Sequence, residues 1–467
     1  MNKKNNNSSK IGKVLPFGKD LGWDFIYFLG IGGIGMSAIA RYFVANGKQV
    51  AGYDKTPSAI TNSLEENGVK IHFEDAVKNI PISFLDNKKT LVVYTPAVPK
   101  DHSELNYFKD NKFTILKRAA VLGEITKNSF SLAVAGTHGK TTTSSILGHI
   151  MSVVNATSFL GGIAENYNSN LILGDEKVTV VEADEFDRSF LQLSPNIACI
   201  TSMDADHLDI YADHEALKES FLAFANKVSD TLIVAKDLPI DGLTYAIDEE
   251  ADYKAFNLQI ESGKYIFDVQ TPTETIEKIE FHLPGKHNVM NALAALAMAD
   301  VYGISLCSVK ESLRTFKGVQ RRFSYKIKSE NLILIDDYAH HPIEINAVEN
   351  SVREMYPNEK VLCVFQPHLF SRTKDFADDF ASALAKFDEL ILLDIYPARE
   401  IPIDGVTSEW LLSKILSEEK QISSKENLVK NIENSEARII VMLGAGDIGL
   451  LVNDVKVALS KPVTNEI

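Results

Sequence analysis

The sequence is poor in cysteine, and the few cysteines it has are scattered. Its 467 residues include 3 cysteines, Cys199, Cys307 and Cys363, each among apolar neighbours. Such wide spacing excludes a disulfide framework, and a zinc site would need ligands closer together in the chain. We predict buried, reduced thiols, which are typical of a protein in a reducing compartment.

Positive charge is also scarce, and long apolar runs are missing. The 48 lysines and arginines are outnumbered by 63 aspartates and glutamates, which gives a formal net charge of −15. This balance excludes broad, nonspecific binding of nucleic acid, which needs a basic surface. A locally positive pocket can still bind anionic small ligands. No run of roughly 18 apolar residues is present, so no membrane span is expected.

The first residues are polar, with no apolar stretch behind them. They predict a flexible tail over residues 1–20 rather than a secretory signal. We therefore expect a cytoplasmic protein.

What the sequence does contain is a regular alternation of strands and amphipathic helices. This alternation predicts parallel sheets covered by helices on both faces, which is the α/β class. A chain of 467 residues has room for about three domains. Three blocks, beginning near Phe25, near residue 125 and near residue 320, each contain a glycine-rich turn from strand to helix.

The first turn follows the predicted strand Phe25–Leu29 and opens a helix, as the G-x-G-x-x-G motif of dinucleotide sites requires. Its glycines are Gly30, Gly32, Gly33 and Gly35. Glycines let the backbone approach a diphosphate, and the helix N-terminus offers unpaired N–H groups. Asp54, after the next strand, can accept hydrogen bonds from a ribose or a base. The turn alone leaves three interpretations: NAD, another nucleotide diphosphate, or a turn needed only for packing.

The second turn has the features of a phosphate loop that binds ATP or GTP. It consists of Gly136, Thr137, His138, Gly139, Lys140, Thr141 and Thr142. In such a loop backbone N–H groups surround the phosphates, Lys140 reaches the β- and γ-phosphate oxygens, and Thr141 can bind magnesium. The common G-x-x-x-x-G-K-[ST] form is not met, because Val134 stands where its first glycine would be.

A third glycine-rich turn, with Gly444, Gly446 and Gly449, follows the predicted strand Ile439–Leu443. It lacks the acidic residue about 20 positions further on that a dinucleotide site requires. A structural turn and a ligand contact both remain open for it.

Acidic residues follow two predicted strands of the second block. The strand Val178–Glu182 ends in Glu182, Asp184 and Glu185, and carboxyl ends of parallel strands face the ligand crevice. Glu182 is therefore predicted to bind magnesium beside the Thr141 hydroxyl. After the next strand, His207 stands among acids and can bind a second metal ion or a phosphate oxygen. A solvated loop is the alternative at both places.

Further polar candidates stand at helix and strand ends. Asn288 and Asn291 share a helix face, where amides can read an adenine edge or cap the helix. An arginine at position 321 or 322 can fork onto a γ-phosphate. Two later strands are followed by Asp337, Tyr338 and His340, and by His368 and Arg372.

Taken in order, these motifs resemble those of the Mur ligases, the enzymes of bacterial peptidoglycan synthesis. The resemblance extends from about Phe25 to Gly449 and implies the irregular spacing of the phosphate loop. The motifs that carry it are Gly30–Met36, Gly136–Thr141, Glu182–Glu185, Asp206–His207, His287–Asn291, Arg321–Phe323, Asp336–Pro342, Pro367–His368 and Ser371–Thr373.

The resemblance implies three domains. A Rossmann-like N-terminal domain over residues 21–124 would bind a UDP substrate. A central P-loop-type ATPase domain with a mainly parallel sheet would span residues 125–319. A Rossmann-like C-terminal domain over residues 320–467 would bind an amino acid. The first turn would then hold the diphosphate of a UDP-sugar instead of NAD, with Asp54 near the uridine.

The reaction implied is ATP-driven amide formation through an acyl phosphate. The resemblance implies ATP, UDP-N-acetylmuramate and L-alanine as substrates and Mg²⁺ as cofactor, with Mn²⁺ as a substitute. The implied metal ligands are Thr141, Glu182 and His207, and the implied catalytic residues are Lys140, Glu182, His207, Arg322, Asp337 and His340. Residues Gly136–Thr142 with Asn288, Asn291 and Arg321 would bind ATP. Tyr338, His340, His368 and Arg372 would bind the amino acid.

Three rival functions remain. A murein-peptide ligase would join a tripeptide to the same sugar nucleotide, but its first glycine turn differs. A nicotinamide-dependent oxidoreductase would leave Lys140 and Glu182 unused, and a nucleotide-gated binding protein would not need Arg322 or His340. The chain departs from the family at Leu369, where some members have arginine. A monomer or a homodimer is expected.

Overall fold

The computed structural model describes residues 22–203, 214–261, 263–398 and 400–460. The tail predicted for residues 1–20 and the candidate metal ligand His207 lie outside the described residues. Those residues build three sheets with helices between the strands, so the predicted α/β class is confirmed.

The N-terminal sheet has five strands that all run parallel. Its strands are β1 (Phe25–Leu29), β2 (Gln49–Tyr53), β3 (Lys70–His72), β4 (Thr90–Tyr94) and β5 (Thr114–Lys117), and its helices are α1 (Ile34–Ala45), α2 (Ala59–Glu66), α3 (Ser103–Asp110) and α4 (Arg118–Thr126). Two 3-10 segments, Val77–Asn79 and Ile82–Leu85, precede β4. The order β3-β2-β1-β4-β5 places the first glycine turn at the carboxyl edge of the central strand, where such sheets bind ligands. Helix α4 crosses the domain boundary predicted between residues 124 and 125.

The central sheet has ten strands. They are β6 (Phe130–Ala135), β7 (Ala156–Ala164), β8 (Ser169–Ile172), β9 (Asp175–Glu182), β10 (Ile197–Ile200), β11 (Thr231–Ala235), β12 (Leu243–Ile247), β13 (Tyr253–Glu261), β14 (Lys264–Gln270) and β15 (Thr275–Phe281). The helices are α5 (Lys140–Met151), α6 (His214–Ala225), α7 (Lys286–Tyr302) and α8 (Leu306–Thr315), with 3-10 segments Ser152–Val154 and Phe186–Gln192. The order is β15-β14-β13-β12-β11-β10-β6-β9-β7-β8.

Strand direction in the central sheet changes toward its edges. The middle of the sheet is parallel, but β13, β14 and β15 pair antiparallel, as do β7 and β8. The prediction of a mainly parallel sheet is confirmed. The alternation of strands and helices did not predict the antiparallel extension, in which strands follow each other without an intervening helix.

The C-terminal sheet has six strands. They are β16 (Ser324–Lys328), β17 (Ile333–Asp337), β18 (Val361–Phe365), β19 (Glu389–Leu392), β20 (Lys420–Ile422) and β21 (Ile439–Leu443). The helices are α9 (Pro342–Met355), α10 (Phe370–Asp375), α11 (Ala377–Leu384), α12 (Ser408–Lys414), α13 (Leu428–Glu433) and α14 (Ile448–Leu459). The order is β16-β17-β21-β18-β19-β20. Among the described strands of this C-terminal sheet, only β16 pairs antiparallel with its neighbour.

The N-terminal and central domains share one hydrophobic core. Ile26, Phe28 and Phe43 from the first domain pack in the same buried cluster as Val181 and Phe221 from the second. Two separate clusters under the C-terminal sheet contain only residues of that domain. The first two domains therefore hold each other in a fixed arrangement, and the C-terminal domain has its own core.

A buried amide also links the first two domains. Asn170 of β8 donates from its side chain to the carbonyl of Ile34, 2.5 Å away, and to the hydroxyl of Ser37, 2.8 Å away. Both partners belong to the first turn of α1. The start of this helix, which follows the first glycine turn, is thereby fixed against the central sheet.

The cysteines are free, and their burial differs from one to another. Cys199 and Cys363 are buried as predicted, but Cys307 is exposed, so that part of the prediction is wrong. Cys307 lies on α8, where the apolar neighbours Leu306 and Val309 pack inward and leave its own face to solvent. In the part of the chain that the structure describes, no helix is long and apolar enough to cross a membrane.

Candidate active site

The phosphate loop connects β6 to α5 and is shaped by two glycines with positive φ. Gly136 has φ 137° and Gly139 has φ 82°, a region of backbone conformation that favours glycine. A Cβ atom at Gly136 would lie 2.1 Å from the Thr201 hydroxyl. The hydroxyl of Ser202 accepts a hydrogen bond from the His138 N–H at 2.7 Å. Thr201 and Ser202, which follow β10, were not predicted as site residues but hold the loop in place.

The Lys140 ammonium is held inside the loop by a buried carboxylate. It donates to the carbonyl of Gly136 at 2.5 Å and to Glu185 at 2.9 Å. The Glu185 side chain is fully buried. Burial lowers the pKa of Lys140, but the charges of Glu185, Asp184 and Glu182 outweigh burial and raise it overall. Lys140 is therefore a permanent cation at the place predicted for the phosphates.

Glu182 lies at the end of β9 beside the first turn of α5. Its carboxylate accepts from the Gly161 N–H at 3.1 Å and from the Ser144 hydroxyl at 3.4 Å, and the Thr141 hydroxyl lies nearby. A Cβ atom at Gly161 would lie 2.1 Å from the same carboxylate, so only glycine leaves room there. Burial raises the pKa of Glu182, although Lys140 opposes this effect. The structure thus brings together the two oxygen ligands predicted for magnesium, Thr141 and Glu182.

Metal ligands beyond this pair were sought among the described side chains. No group of three or more histidine, cysteine, aspartate or glutamate side chains there is arranged to hold a metal ion. His207, the predicted third ligand, lies outside the described residues.

A cavity of about 380 Å³ adjoins the phosphate loop and is closed by α7 and the C-terminal domain. Asn288 and Asn291 both line it. The Asn288 amide donates to the Pro284 carbonyl at 2.6 Å, and the Asn291 carbonyl oxygen accepts from the Thr143 hydroxyl at 3.1 Å. The second bond ties the start of α7 to the first turn of α5, next to the phosphate loop. Both asparagines therefore shape this cavity, called the nucleotide cavity below because the phosphate loop borders it.

The two neighbouring arginines point in different directions. Arg322 lines the nucleotide cavity and lies 3.9 Å from Glu344. Arg321 points away from it, toward the third glycine turn, where its guanidinium donates to the Gly444 carbonyl. A Cβ atom at Gly449 would lie 2.5 Å from the Arg321 guanidinium carbon. The third turn thus has a structural partner in Arg321.

Tyr338 separates the two arginines. Its ring centroid is 5.1 Å from the guanidinium carbon of Arg321 and 5.2 Å from that of Arg322. Attraction between the cations and the ring face holds both guanidinium groups near the domain junction.

Asp337 is buried at the carboxyl end of β17, next to Tyr338. Its carboxylate accepts from the Phe323 N–H at 2.6 Å and from the Ala339 N–H at 2.7 Å. Burial raises its pKa to about 6, against the opposing charge of Arg322. Asp337 therefore joins the segment before β16, which carries Phe323, to the turn after β17, which carries Tyr338.

His340 is oriented by a neighbouring carboxylate. Its Nδ1 lies 3.1 Å from Glu344 and 3.0 Å from the Tyr338 carbonyl. Burial raises the pKa of Glu344, but the hydrogen bond from His340 and the charge of Arg322 hold it well below its usual range. Glu344 is therefore an anion that binds both His340 and Arg322, and sequence reasoning did not single it out.

Three of the residues predicted to bind the amino acid, Tyr338, His340 and His368, lie next to one another in the C-terminal domain. The His368 ring lies 5.9 Å from the His340 ring and stacks on Tyr396 at 5.7 Å. Arg372 is half-buried on α10, four residues beyond His368. Leu369, between them, has φ 71°, which a non-glycine residue rarely adopts.

A cleft of about 800 Å³ opens between the three domains. Ile60 of the first domain, Glu182 of the second and Tyr338 of the third all line it. Thr141 and Arg322 line both this cleft and the nucleotide cavity. The two spaces therefore meet between a phosphate-loop hydroxyl and an arginine.

The first glycine turn has an acid directly across it. Gly30 has φ 85°, and the Asp54 carboxylate accepts from the Gly32 N–H at 2.7 Å. Asp54 also accepts from the Thr56 N–H at 3.3 Å. The prediction placed Asp54 at the ribose or the base of a nucleotide. In this structure its carboxylate caps the turn itself.

A polar network that the sequence did not reveal lies under the ends of β2 and β3. The Tyr27 hydroxyl is 2.7 Å from Glu104 and 2.8 Å from His72 Nε2. Glu104 is fully buried, and burial raises its pKa to about 7. Asp75 is the nearby acid that adds to this rise.

Glu104→Gln is expected to change how stability depends on pH. A carboxyl group that ionises near pH 4.5 in the unfolded chain and near pH 7 in the folded one lowers the free energy of unfolding as pH rises between these values. The full decrease in the free energy of unfolding is about 3 kcal/mol. The variant lacks this loss, so its stability relative to wild type should increase from pH 5 to pH 8. Denaturant unfolding at several pH values measures this, and a constant difference would contradict it. His72, whose pKa burial lowers, is present in both proteins.

Comparisons with known proteins point to one family along nearly the whole chain. The description "Mur ligase family, catalytic domain" matches residues 25–130, "Mur ligase middle domain" matches 134–299, and "Mur ligase, glutamate ligase domain" matches 321–448. A protein of Flavobacterium johnsoniae named UDP-N-acetylmuramate–L-alanine ligase is 58% identical over 442 residues, with 94% of this chain and 98% of the relative covered.

Solved structures agree with this assignment. The crystal structure of UDP-N-acetylmuramate-alanine ligase MurC from Thermotoga maritima has a TM-score of 0.81 at 29% identity, covering 93% of this chain and 99% of that one. A murein peptide ligase from Psychrobacter arcticus has a TM-score of 0.68 at 22% identity, covering 94% and 99%. The second likeness concerns the fold alone.

Proposed function

The chain belongs to the Mur ligase family, and on this premise we propose that its three-domain cleft joins L-alanine to UDP-N-acetylmuramate at the expense of ATP. The reaction is amide formation through an acyl phosphate, with ADP and phosphate as products. The observation that carries the site assignment is that Thr141 and Arg322 line both the nucleotide cavity and the cleft. A γ-phosphate in the cavity and a carboxylate in the cleft can meet at that junction.

The first chemical step must bring two anions together. The lactyl carboxylate of UDP-N-acetylmuramate attacks the γ-phosphorus, forming a C–O–P bond while ADP leaves with the electrons of the broken P–O bond. Lys140 and Arg322 both line the nucleotide cavity and balance the negative charge that gathers at the junction. Glu185 and Glu344 hold these two cations in position.

A divalent cation suits the pair Thr141 and Glu182. A hydroxyl and a carboxylate are hard oxygen donors, and Mg²⁺ takes few protein ligands beside phosphate oxygens and waters. The half-buried Glu182 carboxylate lies beside the Thr141 hydroxyl, which agrees with this role. When bound, Mg²⁺ would neutralise phosphate charge. We extend the proposal to Mn²⁺ as a substitute and to His207 as a ligand of a second ion.

The second step needs the amine of L-alanine near the acyl carbonyl. The nitrogen attacks the carbonyl carbon, the C–O bond to phosphate breaks, and phosphate leaves with its electrons. His340, His368, Tyr338 and Arg372 are proposed to bind the amino acid. The rings of Tyr338, His340 and His368 lie next to one another in the C-terminal domain, and Tyr338 lines the cleft. With Nδ1 of His340 engaged by Glu344 and Tyr338, its Nε2 is the atom proposed to accept the amine proton.

The remaining site residues are assigned to the UDP substrate and to ATP. The first glycine turn with Gly30, Gly32, Gly33 and Gly35 is proposed to bind the diphosphate, and Asp54 to lie toward the uridine. Residues Gly136–Thr142 with Asn288 and Asn291 are proposed to bind ATP. Arg321 supports the third turn, and its guanidinium is proposed to reach ATP only after the C-terminal domain moves.

We further propose domains at residues 21–124, 125–319 and 320–467, a cytoplasmic location, and a monomer or homodimer.

ADP formation with one amino acid or peptide added at a time tests the proposal. With Mg²⁺ and UDP-N-acetylmuramate, we expect turnover that depends on L-alanine, together with the mass of the UDP-muramyl-alanine product. Turnover only with a tripeptide would instead support the murein-peptide ligase, and no turnover with any acceptor would support the nucleotide-gated binding protein. The oxidoreductase interpretation is wrong, because the chain belongs to a ligase family.

A further inference from the structure

The first glycine turn lacks a cation of its own that could balance the charge of a bound diphosphate. A diphosphate at this turn would bring about two negative charges to a helix N-terminus worth about half a positive charge. Helix α1 supplies no cation in its first turn, and the Asp54 carboxylate occupies the Gly32 N–H at 2.7 Å. A diphosphate bound here needs a cation from another element.

Arg118 is the residue placed to supply it. It begins α4 directly after β5, so its side chain leaves the same carboxyl edge of the N-terminal sheet as the glycine turn. A Cβ atom at Gly35 would lie 2.6 Å from Arg118 Nη1. The Arg118 side chain therefore lies directly over Gly35, whose φ is not positive.

The other end of the guanidinium faces Asp184, near the end of β9. Arg118 Nη2 lies 3.3 Å from the Asp184 carboxylate, two residues beyond Glu182. A cavity of about 240 Å³ connects these groups, lined by Gly33, Gly35, Glu182 and Asp184 among others. Among the described residues that line this cavity, Arg118 is the only cation. Its side chain is about one-fifth exposed, so a ligand in the cavity can reach it.

We propose that Arg118 binds the diphosphate of the UDP substrate, with its guanidinium forked between phosphate oxygens over the first glycine turn. A planar guanidinium suits two oxygens of one diphosphate better than a single ammonium does. Asp184 holds the guanidinium in place before the substrate arrives. The inference rests on the proposed function, since it assigns a further residue to the same UDP site.

The test compares Arg118→Met and Arg118→Lys with wild type in calorimetric titrations of the full chain with UDP, UMP and UDP-N-acetylmuramate. We expect Arg118→Met to weaken the binding of UDP and UDP-N-acetylmuramate by about 10- to 100-fold, and UMP by less. Arg118→Lys keeps the charge and should recover part of the loss. In turnover, KM for UDP-N-acetylmuramate should rise by a similar factor while KM for ATP stays constant.

Lys117→Met is the matched control. This neighbouring cation pairs with Asp187 on the surface and should leave UDP binding unchanged. Should Arg118→Met not fold, the selectivity of Arg118→Lys for UDP over UMP carries the test. Unchanged UDP binding, a loss seen with UDP-N-acetylmuramate but not with UDP, or an equal loss for ATP would each overturn the assignment. Wild type that binds no UDP compound at all would instead overturn the proposed function.

Discussion

Lys140→Met is expected to lower kcat by about 10²- to 10³-fold, the cost of removing one preorganised charge that stabilises a transition state. The Lys140 ammonium lies in the phosphate loop, and in this structure Gly136 and Glu185 hold it. Methionine keeps most of the length of the side chain, without its charge. The rate of ADP formation at saturating ATP, UDP-N-acetylmuramate and L-alanine measures the effect.

Loss of stability must be separated from loss of catalysis in this variant. Removing Lys140 leaves the fully buried Glu185 carboxylate without its cation, a change that typically costs 3–5 kcal/mol, so ~3 kcal/mol or more of stability is at risk. The double variant Lys140→Met with Glu185→Gln removes both charges. We expect its thermal stability to recover while its kcat stays low. A double variant with wild-type kcat would remove Lys140 from the catalytic machinery.

Glu182→Gln is expected to have an effect of similar size, through the metal. The carboxylate accepts hydrogen bonds from Gly161 and Ser144 and lies beside Thr141, and an amide can accept on one atom only. The variant therefore loses a charged oxygen ligand and gains a misplaced donor. We expect kcat to fall by about 10²-fold or more and the Mg²⁺ concentration for half-maximal rate to rise about 10-fold or more.

Titrating turnover with Mg²⁺ checks this expectation, and Glu182→Asp is the matched variant because it keeps the charge on a shorter side chain. High Mg²⁺ should rescue Glu182→Asp in part and Glu182→Gln hardly at all. Burial raises the pKa of Glu182, so protons compete with the metal and the Mg²⁺ requirement of wild type should increase as pH falls. A Glu182→Gln variant with the Mg²⁺ dependence of wild type would exclude this residue as a ligand.

Local motifs predicted much of the site because their residues are few positions apart. The strand, glycine turn and helix around Lys140 follow one another in the chain, and the structure places them as expected. The pairing of Thr141 with Glu182 was also predictable, since β6 and β9 are parallel neighbours whose carboxyl ends meet. In these cases the chain order and the geometry of parallel strands left little choice.

The remaining contacts could not be predicted, because they join residues distant in the chain. Glu185 and Lys140 are 45 positions apart, Tyr27 and Glu104 are 77 apart, and Arg321 and Gly444 are 123 apart. Spacing alone did not show that Glu185 would hold Lys140, or that Arg321 and Arg322 would point in different directions. Their directions depend on how whole domains pack against each other, which short patterns do not record.

Transfer of ¹⁸O from the substrate carboxylate to inorganic phosphate tests the central claim most directly. UDP-N-acetylmuramate labelled in its lactyl carboxylate is incubated with the full chain, ATP, Mg²⁺ and L-alanine, and the released phosphate is analysed by mass. If the carboxylate attacks the γ-phosphorus where Thr141 and Arg322 line both spaces, each phosphate carries one ¹⁸O atom. Phosphate released without label, in step with product formation, would show that no acyl phosphate forms and would contradict the account.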